Sequence, residues 1–279
     1  MEKPERKQSV MAKPSTGDIR ELWELAKTLI WAVLIAILVR TFAFEPFNIP
    51  SGSMIPTLLI GDYLFVSKTA YGYSRYSFPW GLAPFHGRIW EGSPKRGDVV
   101  VFRPPGDPET DFIKRVIGLP GDKVQLKEGR LYINGAEVER KPIEDFQYTT
   151  PDDPVGHPVA QYLETLPGGV THRIIETSGD TGQLDNTPVY VVPQGDYFMM
   201  GDNRDNSNDS RVWKGFMDMP ADQEITDPAL LDKVGFVPSE NLIGPAKILF
   251  WSYGDDFRAT NPLTWVTALR WQRLLNFID

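Results

Sequence analysis

The sequence of 279 residues contains no cysteine and only three histidines. The lack of cysteine excludes a disulfide framework, a thiol nucleophile, thiolate-bound zinc and iron–sulfur clusters. His86, His157 and His172 are far apart along the chain, and none belongs to an HExxH motif. A histidine-based metal site is therefore not predicted, and we expect neither a metal nor another cofactor.

An excess of basic charge is also lacking. The chain has 29 Lys and Arg against 37 Asp and Glu, a formal net charge of −8 at pH 7. Binding to nucleic acid requires a basic surface that displaces counterions from phosphates, so no nucleic-acid partner is expected. The apolar fraction of 41% and the charged fraction of 24% are those of a folded globular protein.

One long apolar run is present, at residues 29–39 between Lys27 and Arg40. Extended to residues 23–44 it would form a helix of ~33 Å, enough to span the hydrocarbon core of a bilayer. A buried core helix and the apolar part of a cleaved signal peptide are the alternatives. Arg40 and the long segment of mixed charge before the run oppose cleavage, so the sequence predicts one retained transmembrane helix behind a tail of residues 1–22.

The distribution of charge predicts the orientation of this helix. Residues 1–28 carry six Lys and Arg, which favours a cytoplasmic N-terminus by the positive-inside rule. The rest of the chain carries 23 Lys and Arg against 32 Asp and Glu. Residues 45–279 are therefore predicted to form an acidic domain outside the cytoplasm.

Short runs of β-branched and aromatic residues, separated by turn residues, follow the apolar segment. They are residues 62–67, 98–102, 112–117, 189–192, 197–200 and 247–251. Within residues 130–138, Asn134-Gly135 separates two such runs, a typical signal for a tight hairpin. The predicted fold class is therefore mostly β.

Three stretches depart from this pattern. Residues 141–188 and 214–234 are long and rich in turn residues, and we interpret them as peripheral insertions. Residues 262–278 carry Trp265, Leu269 and other apolar side chains at helical spacing, which predicts an amphipathic helix.

Two serines, Ser51 and Ser53, lie in a turn that three prolines and a glycine keep out of a helix. By itself, such a turn is usually an ordinary loop. A serine nucleophile also requires a base, and the chain has neither a GxSxG motif nor a histidine in a triad context. The remaining base available to a serine is a neutral lysine.

Lys114 is the candidate for that base. In an alternating strand it shares the apolar face with Phe112 and Val116. Burial on such a face lowers the pKa of a lysine amine toward the range in which it can accept a proton. A strand-edge lysine that opposes aggregation is the alternative interpretation.

Residues 201–211 form a dense polar run with three carboxylates and two arginines. The spacing of Asp205, Ser207 and Asp209 resembles the start of a calcium loop, but Ser210 replaces its central glycine and Phe216 its last acidic ligand. A hydrogen-bonded turn network without chemistry is the other alternative.

In their order along the chain, these segments resemble the motif boxes of bacterial type I signal peptidases, which are membrane-anchored Ser/Lys endopeptidases. The boxes are residues 50–58, 61–68, 96–102, 112–122 and 201–211, with 235–238 and 244–246 resembling the last one. The resemblance implies an antiparallel β-rich domain behind one N-terminal transmembrane helix, on the outer side of the bacterial cytoplasmic membrane. It also implies a monomer that contacts the bilayer and removes signal peptides from exported preproteins after small-x-small sites.

The resemblance also implies roles for individual residues. It assigns Ser53 as the nucleophile, Lys114 as the general base, Ser207 as the residue that orients the amine, and Ser51 to the oxyanion hole. It assigns two supporting ion pairs, Asp202 with Arg115 and Asp209 with Arg211. For the substrate it assigns pocket walls at Phe47, Ile49, Leu58 and Ile113. It also implies that an extended substrate pairs as an added strand along Asp111, Phe112 and Ile113. The alternative from another class is a membrane-anchored extracytoplasmic binding or assembly domain whose polar run binds calcium or a partner.

Overall fold

The computed structural model of the protein describes residues 16–78, 87–107, 109–149, 153, 155–212, 223–225, 227–231, 233–254, 256–258 and 260–278. One long α-helix, α1 (Thr16–Phe42), begins the described chain, and the residues from Thr41 onward form a separate compact unit. Two further α-helices are single turns, α2 (Pro228–Leu231) and α3 (Thr264–Thr267).

Helix α1 contains a stretch of 23 residues, Arg20–Phe42, that is long and apolar enough to cross a membrane. None of its most apolar window is buried in protein, which fits a single-pass membrane anchor. The helix starts earlier than the predicted span and ends at Phe42, so Phe44 belongs to the first strand instead. Pro46 disfavours a helical conformation at Glu45 and thereby helps to set this end.

The rest of the described chain is built from β-strands. In chain order they are β1 (Phe44–Asn48), β2 (Asp62–Ser67), β3 (Tyr73–Ser74), β4 (Arg88–Ile89), β5 (Val99–Phe102), β6 (Phe112–Gly118), β7 (Lys123–Lys127), β8 (Arg130–Ile133), β9 (Ala136–Glu137), β10 (Glu139–Pro142), β11 (Phe146–Tyr148), β12 (His157–Thr165), β13 (Thr171–Glu176), β14 (Val189–Val191), β15 (Asp196–Met200), β16 (Glu224–Ile225), β17 (Val237–Pro238) and β18 (Leu242–Ser252).

Four sheets are formed from these strands. The largest has seven strands in the order β1-β2-β18-β5-β6-β15-β17, and a second has five in the order β16-β14-β7-β8-β9. A third contains β10, β12 and β11 with β13 also paired to β12, and β3 pairs with β4. The pairings are antiparallel except that between β14 and β16, so the prediction of a mostly antiparallel β-rich fold is confirmed.

The predicted hairpin at Asn134-Gly135 is also confirmed. These two residues connect β8 to β9, and both have positive φ angles, 54° and 80°. A turn of this kind matches the right-handed twist of the paired strands, and Asn and Gly tolerate that backbone conformation.

The first predicted insertion folds as the third sheet, which covers residues 139–176 and which we call the inserted sheet. Our interpretation of this region as peripheral is wrong. Ile175 on β13 bridges to Asn203 in the polar run, with hydrogen bonds from Ile175 N to Asp202 O at 3.0 Å and from Arg204 N to Ile175 O at 3.1 Å. Residues 214–222 of the second predicted insertion lie outside the described residues.

The predicted amphipathic helix at residues 262–278 is not formed. Only the single turn of α3 and a 3₁₀ turn at Trp271–Arg273 are helical. The chain instead follows strand β18, to which it bonds through Leu275 N to Leu249 O at 2.7 Å and Ile278 N to Lys247 O at 3.0 Å. The prediction from the helical spacing of the apolar residues is wrong. The hydrogen bonds to β18 satisfy backbone groups of this segment without a helix.

Candidate active site

A cavity of about 400 Å³ opens between the loop after β1 and the start of β6. It joins three parts of the chain that are distant in sequence, with the lining residues Phe47, Asn48, Ile49, Pro50, Ser51, Gly52, Ser53, Val101, Thr110, Asp111, Phe112, Ile113, Lys114, Asn206 and Asn208. Most predicted site residues therefore surround one cavity, whose wall contains both candidate serines and the candidate lysine.

Ser53 and Lys114 are in direct contact at this cavity. The Oγ atom of Ser53 lies 2.6 Å from the Nζ atom of Lys114, which also donates a hydrogen bond to the carbonyl oxygen of Ile113 at 3.0 Å. Both side chains are nearly buried, with 8% of Ser53 and 3% of Lys114 exposed. Strand β6 holds the lysine rigidly because β5 pairs along it, with Val100 opposite Lys114.

Burial lowers the pKa of the Lys114 amine to about 8, although Asp209 and Asp202 favour its charged form. Arg211 acts in the same direction as burial. The ordinary lysine pKa lies near 10.5. A neutral amine beside a serine hydroxyl is therefore accessible at physiological pH, which is the arrangement that activates a serine as a nucleophile.

Ser207 is buried close to this pair but does not hydrogen-bond to Lys114. Its hydroxyl oxygen has no hydrogen-bond partner within the described part of the chain. Gly201 lies between Ser53 and Ser207. A Cβ atom at this position would collide with the Ser207 hydroxyl and the Ser53 carbonyl oxygen. A side chain at Gly201 would therefore force the two serines apart.

The predicted pocket residues divide into two groups. Phe47, Ile49 and Ile113 line the cavity as expected, and so do Asp111 and Phe112. Leu58 does not line it, and this part of the prediction is wrong. Its side chain is fully buried in the apolar cluster behind the wall, packed with Ile49 and Ile113 among others, so a peptide cannot reach it.

Asp202 connects three segments of the site. Its carboxylate receives two hydrogen bonds from the Arg115 guanidinium, at 2.9 and 2.8 Å, and one from the Thr57 hydroxyl. Burial alone would raise the pKa of this carboxyl, but the charge and hydrogen bonds of Arg115 hold it below the ordinary value. A bidentate pair of this kind fixes the distance between strand β6 and the polar run.

The second predicted ion pair has a more local role. Asp209 and Arg211 pair at 2.9 and 2.7 Å, and Asp209 also accepts a hydrogen bond from the backbone of Gly201. Burial opposes the ionised Asp209 carboxyl, but Arg211 holds its pKa below the ordinary value. Because both partners belong to residues 201–211, this pair shapes the polar run and does not join it to another segment.

Asn203, for which the sequence predicts no role, holds the loop of the candidate nucleophile. Its backbone N–H donates to the Ser53 carbonyl oxygen at 3.1 Å, and its side-chain amide donates to the Gly52 carbonyl oxygen at 3.2 Å. The motif that contains Asn203 was recognised, but only the fold reveals which carbonyl groups it meets.

His172 is also buried at the edge of this region. Its Nε2 atom lies 3.4 Å from a Glu164 carboxylate oxygen and 3.8 Å from an Asp202 oxygen. Burial, reinforced by the nearby Arg115, lowers the pKa of its imidazole to about 4, so the ring is neutral at pH 7.

Among the described residues, one group of carboxylates has metal-like spacing. Oxygen atoms of Glu176, Asp185 and Asp205 lie within 4.8 Å of one another. Protein donors already engage each of them: Arg140 contacts Glu176, the Gly182 backbone N–H contacts Asp185, and the Ser178 backbone N–H contacts Asp205. The other carboxylate oxygen of Glu176 is buried and has no hydrogen-bond partner among the described residues.

Comparison with known proteins decides the family. A family model described as "Signal peptidase, peptidase S26" matches residues 22–251. Signal peptidase I of Rickettsia canadensis is 38% identical over 264 residues, covering 89% of this chain and 90% of that protein. Signal peptidase I of Rickettsia akari is 37% identical over 271 residues, covering 91% of each.

The chain belongs to the signal peptidase I family. It is therefore a serine endopeptidase of peptidase family S26. Among solved structures it is similar to a signal peptidase I of Enterococcus faecalis, with 25% identity and a TM-score of 0.28, covering 55% of this chain and 97% of the other.

Proposed function

We propose that this enzyme removes signal peptides from exported preproteins and that Ser53 attacks the scissile carbonyl carbon. The contact of 2.6 Å between Ser53 Oγ and the buried Lys114 amine carries this proposal. The cavity beside the pair is open to an extended peptide and walled by apolar side chains.

Lys114 acts as the base in this proposal. With a pKa of about 8, about one amine in ten is neutral at pH 7, against about one in 2,500 for an ordinary lysine. The neutral amine accepts the hydroxyl proton as Oγ attacks, and the resulting ammonium gives that proton to the leaving amine of the mature protein. In the second step the amine takes a proton from water as the water oxygen attacks the acyl carbon, and it returns that proton to Ser53 Oγ as the bond to the signal peptide breaks.

The tetrahedral intermediate carries an oxyanion that needs hydrogen-bond donors already in place. We assign these donors to the backbone N–H of Ser53 and the hydroxyl of Ser51, which is exposed in the cavity wall. Ser207 is assigned to hold the lysine amine when it is neutral, and its hydroxyl has no other partner among the described residues.

The peptide is proposed to add as a strand beside Asp111–Ile113. Strand β15 pairs with β6 only between Arg115 and Gly118, so no described strand covers the start of β6 on that side. The Ile113 carbonyl oxygen already faces the lysine amine there. Pairing with an open edge places the scissile bond through backbone hydrogen bonds, while Phe47, Ile49 and Ile113 restrict the adjacent side chains to small ones.

The apolar helix α1 supports a proposal for the location of the enzyme. We propose that Arg20–Phe42 anchors the chain in the bacterial cytoplasmic membrane, that the residues before it face the cytoplasm, and that the domain after it faces the outer side. In this orientation a monomer meets signal peptides at the outer surface of the bilayer, without a metal or cofactor.

Incubation of the purified protein with a precursor that carries an Ala-x-Ala site tests this function. Mass spectrometry should show one cut after the second alanine, unaffected by a chelator. The Ser53→Ala variant should leave the precursor intact. Cleavage by that variant, or binding of the precursor by the unaltered protein without any cleavage, would contradict the proposal.

A further inference from the structure

Tyr148, the last residue of β11, lies beside both loops that hold Ser53 and Ser207. It is 8% exposed and belongs to one apolar cluster with Ile55, Val159 and Ile175. Ile55 follows Ser53 by two residues. On the other side, the Tyr148 hydroxyl accepts a hydrogen bond from the Asn206 side-chain amide at 3.1 Å. Asn206 immediately precedes Ser207.

Asn206 belongs to a short chain of hydrogen bonds that leads back to the nucleophile loop. Its backbone N–H donates to the Asn203 side-chain oxygen at 3.3 Å, and the Asn203 amide donates to the Gly52 carbonyl oxygen at 3.2 Å. Tyr148 is therefore bonded to one end of this chain at Asn206, and it shares an apolar cluster with Ile55, which follows the other end at Gly52 by three residues.

The inserted sheet supports Tyr148 rigidly. Its strand β12 is joined to the polar run by the Glu164–Arg204 ion pair, in which both side chains are about 1% exposed. One of the two hydrogen bonds of this pair measures 2.9 Å. Since β11 pairs with β12 from Phe146 to Tyr148, the position of Tyr148 relative to the active-site loops is fixed by buried contacts.

Asn206 is itself exposed in the wall of the substrate cavity. With one N–H of its amide bonded to Tyr148, the second N–H and the carbonyl oxygen stay available to a peptide backbone. The bond to Tyr148 thereby sets which groups of Asn206 a substrate meets. Without it, the amide would rotate freely and lose part of its contribution to binding.

We propose that Tyr148 is a positioning residue of the protease, in which the ring supports the Ser53 loop through Ile55 and the hydroxyl orients the Asn206 amide toward the bound peptide. This inference rests on the proposed function of Ser53. It gives the inserted sheet a role in catalysis, and it predicts that the two parts of Tyr148 affect different kinetic constants.

Tyr148→Phe tests the hydroxyl, because it keeps the ring and removes only the hydrogen bond. Cleavage of the Ala-x-Ala precursor should show a kcat/KM lower by about 3- to 10-fold, mainly through a higher KM, with an unchanged melting temperature. Asn206→Ala should have an effect at least as large, because it also removes the amide groups that meet the peptide. The double variant should be no worse than Asn206→Ala alone, since the Tyr148 hydroxyl acts through that amide.

Tyr148→Ala tests the ring, and here kcat should fall because Ile55 loses its support. Tyr162→Phe is the matched control, since Tyr162 lies on β12 of the inserted sheet with its ring under the Arg140 guanidinium. Its kcat and KM should equal those of the unaltered protein.

Two outcomes would overturn the inference. One is a Tyr148→Phe variant with unaltered kcat and KM. The other is a double variant in which the losses in kcat/KM of the two single variants add fully. Either result would mean that Tyr148 contributes to the fold alone. The same assay includes the unaltered protein and Ser53→Ala. If the unaltered protein does not cleave, or Ser53→Ala does, the proposed function itself fails.

Discussion

Ser53 and Lys114 are 61 positions apart in the sequence, yet Ser53 Oγ lies 2.6 Å from Lys114 Nζ. The loop after β1 supplies the serine and the middle of β6 supplies the lysine. Asp202 fixes this relationship, because it binds Arg115 next to the lysine and Thr57 in the serine loop.

The rate of cleavage should depend on the titration of Lys114. Because burial lowers the pKa of its amine to about 8, kcat/KM should rise about tenfold for each pH unit below that value and level off above it. A pH–rate profile with the Ala-x-Ala precursor measures this dependence. An activity limb centred near pH 6.5, as expected for an ordinary histidine base, would contradict the assignment.

Stability should also depend on this amine. Between the folded pKa of about 8 and the ordinary value of 10.5, the unfolded chain binds more protons at Lys114 than the folded chain does. The free energy of unfolding should therefore rise with pH in this window, by ~3 kcal/mol at most. Lys114→Met should lack this rise when denaturant unfolding is compared at pH 7.5 and pH 10.

The matched control for that comparison is Lys141→Met, because the Lys141 side chain is 67% exposed. Its pH dependence should follow that of the unaltered protein. Parallel curves for all three proteins would show that the Lys114 amine is not desolvated in the folded state.

The Asp202–Arg115 pair should be important for stability. Asp202→Ala leaves the Arg115 charge buried without its partner, which should lower the free energy of unfolding by about 3–5 kcal/mol. Glu224→Ala is the control, because its pair with Lys123 is exposed and such pairs contribute only about 0–1 kcal/mol. Similar losses in the two variants would mean that the buried pair does not hold the site together.

Ser207→Ala should separate catalysis from folding. Since the Ser207 hydroxyl has no partner among the described residues, its removal should leave the melting temperature nearly unchanged. Loss of a hydrogen bond to the lysine amine should lower kcat by about 10- to 100-fold, less than the loss in Lys114→Ala. Equal losses in the two variants would assign Ser207 a different role.

Much of the fold could be predicted from the sequence because its signals are local. The apolar run of α1, the alternation in β6 and the turn at Asn134-Gly135 each depend on residues close together in the chain. The ordered motif boxes also led to the serine, the lysine and the polar run. The structure brings Ser53 and Lys114 together with most of the predicted pocket residues around one cavity.

The remaining features depend on contacts between distant segments. Leu58 is an apolar residue of the kind that lines such pockets. Only the folded structure shows that its side chain is buried behind the cavity wall. The role of the inserted sheet could not be predicted, because Tyr148 and Ile55 are 93 positions apart and no local pattern links them. Residues 262–278 have helical spacing, but their hydrogen bonds to β18 favour an extended path.

Single-turnover cleavage of the Ala-x-Ala precursor by Lys114→Met tests the central assignment most directly. Methionine fills the buried site without an amine, so the variant should remain folded. It should cleave no faster than Ser53→Ala across the pH range. If Lys114→Met still cleaves at a rate well above that of Ser53→Ala, another group activates the serine, and the Ser/Lys mechanism is wrong.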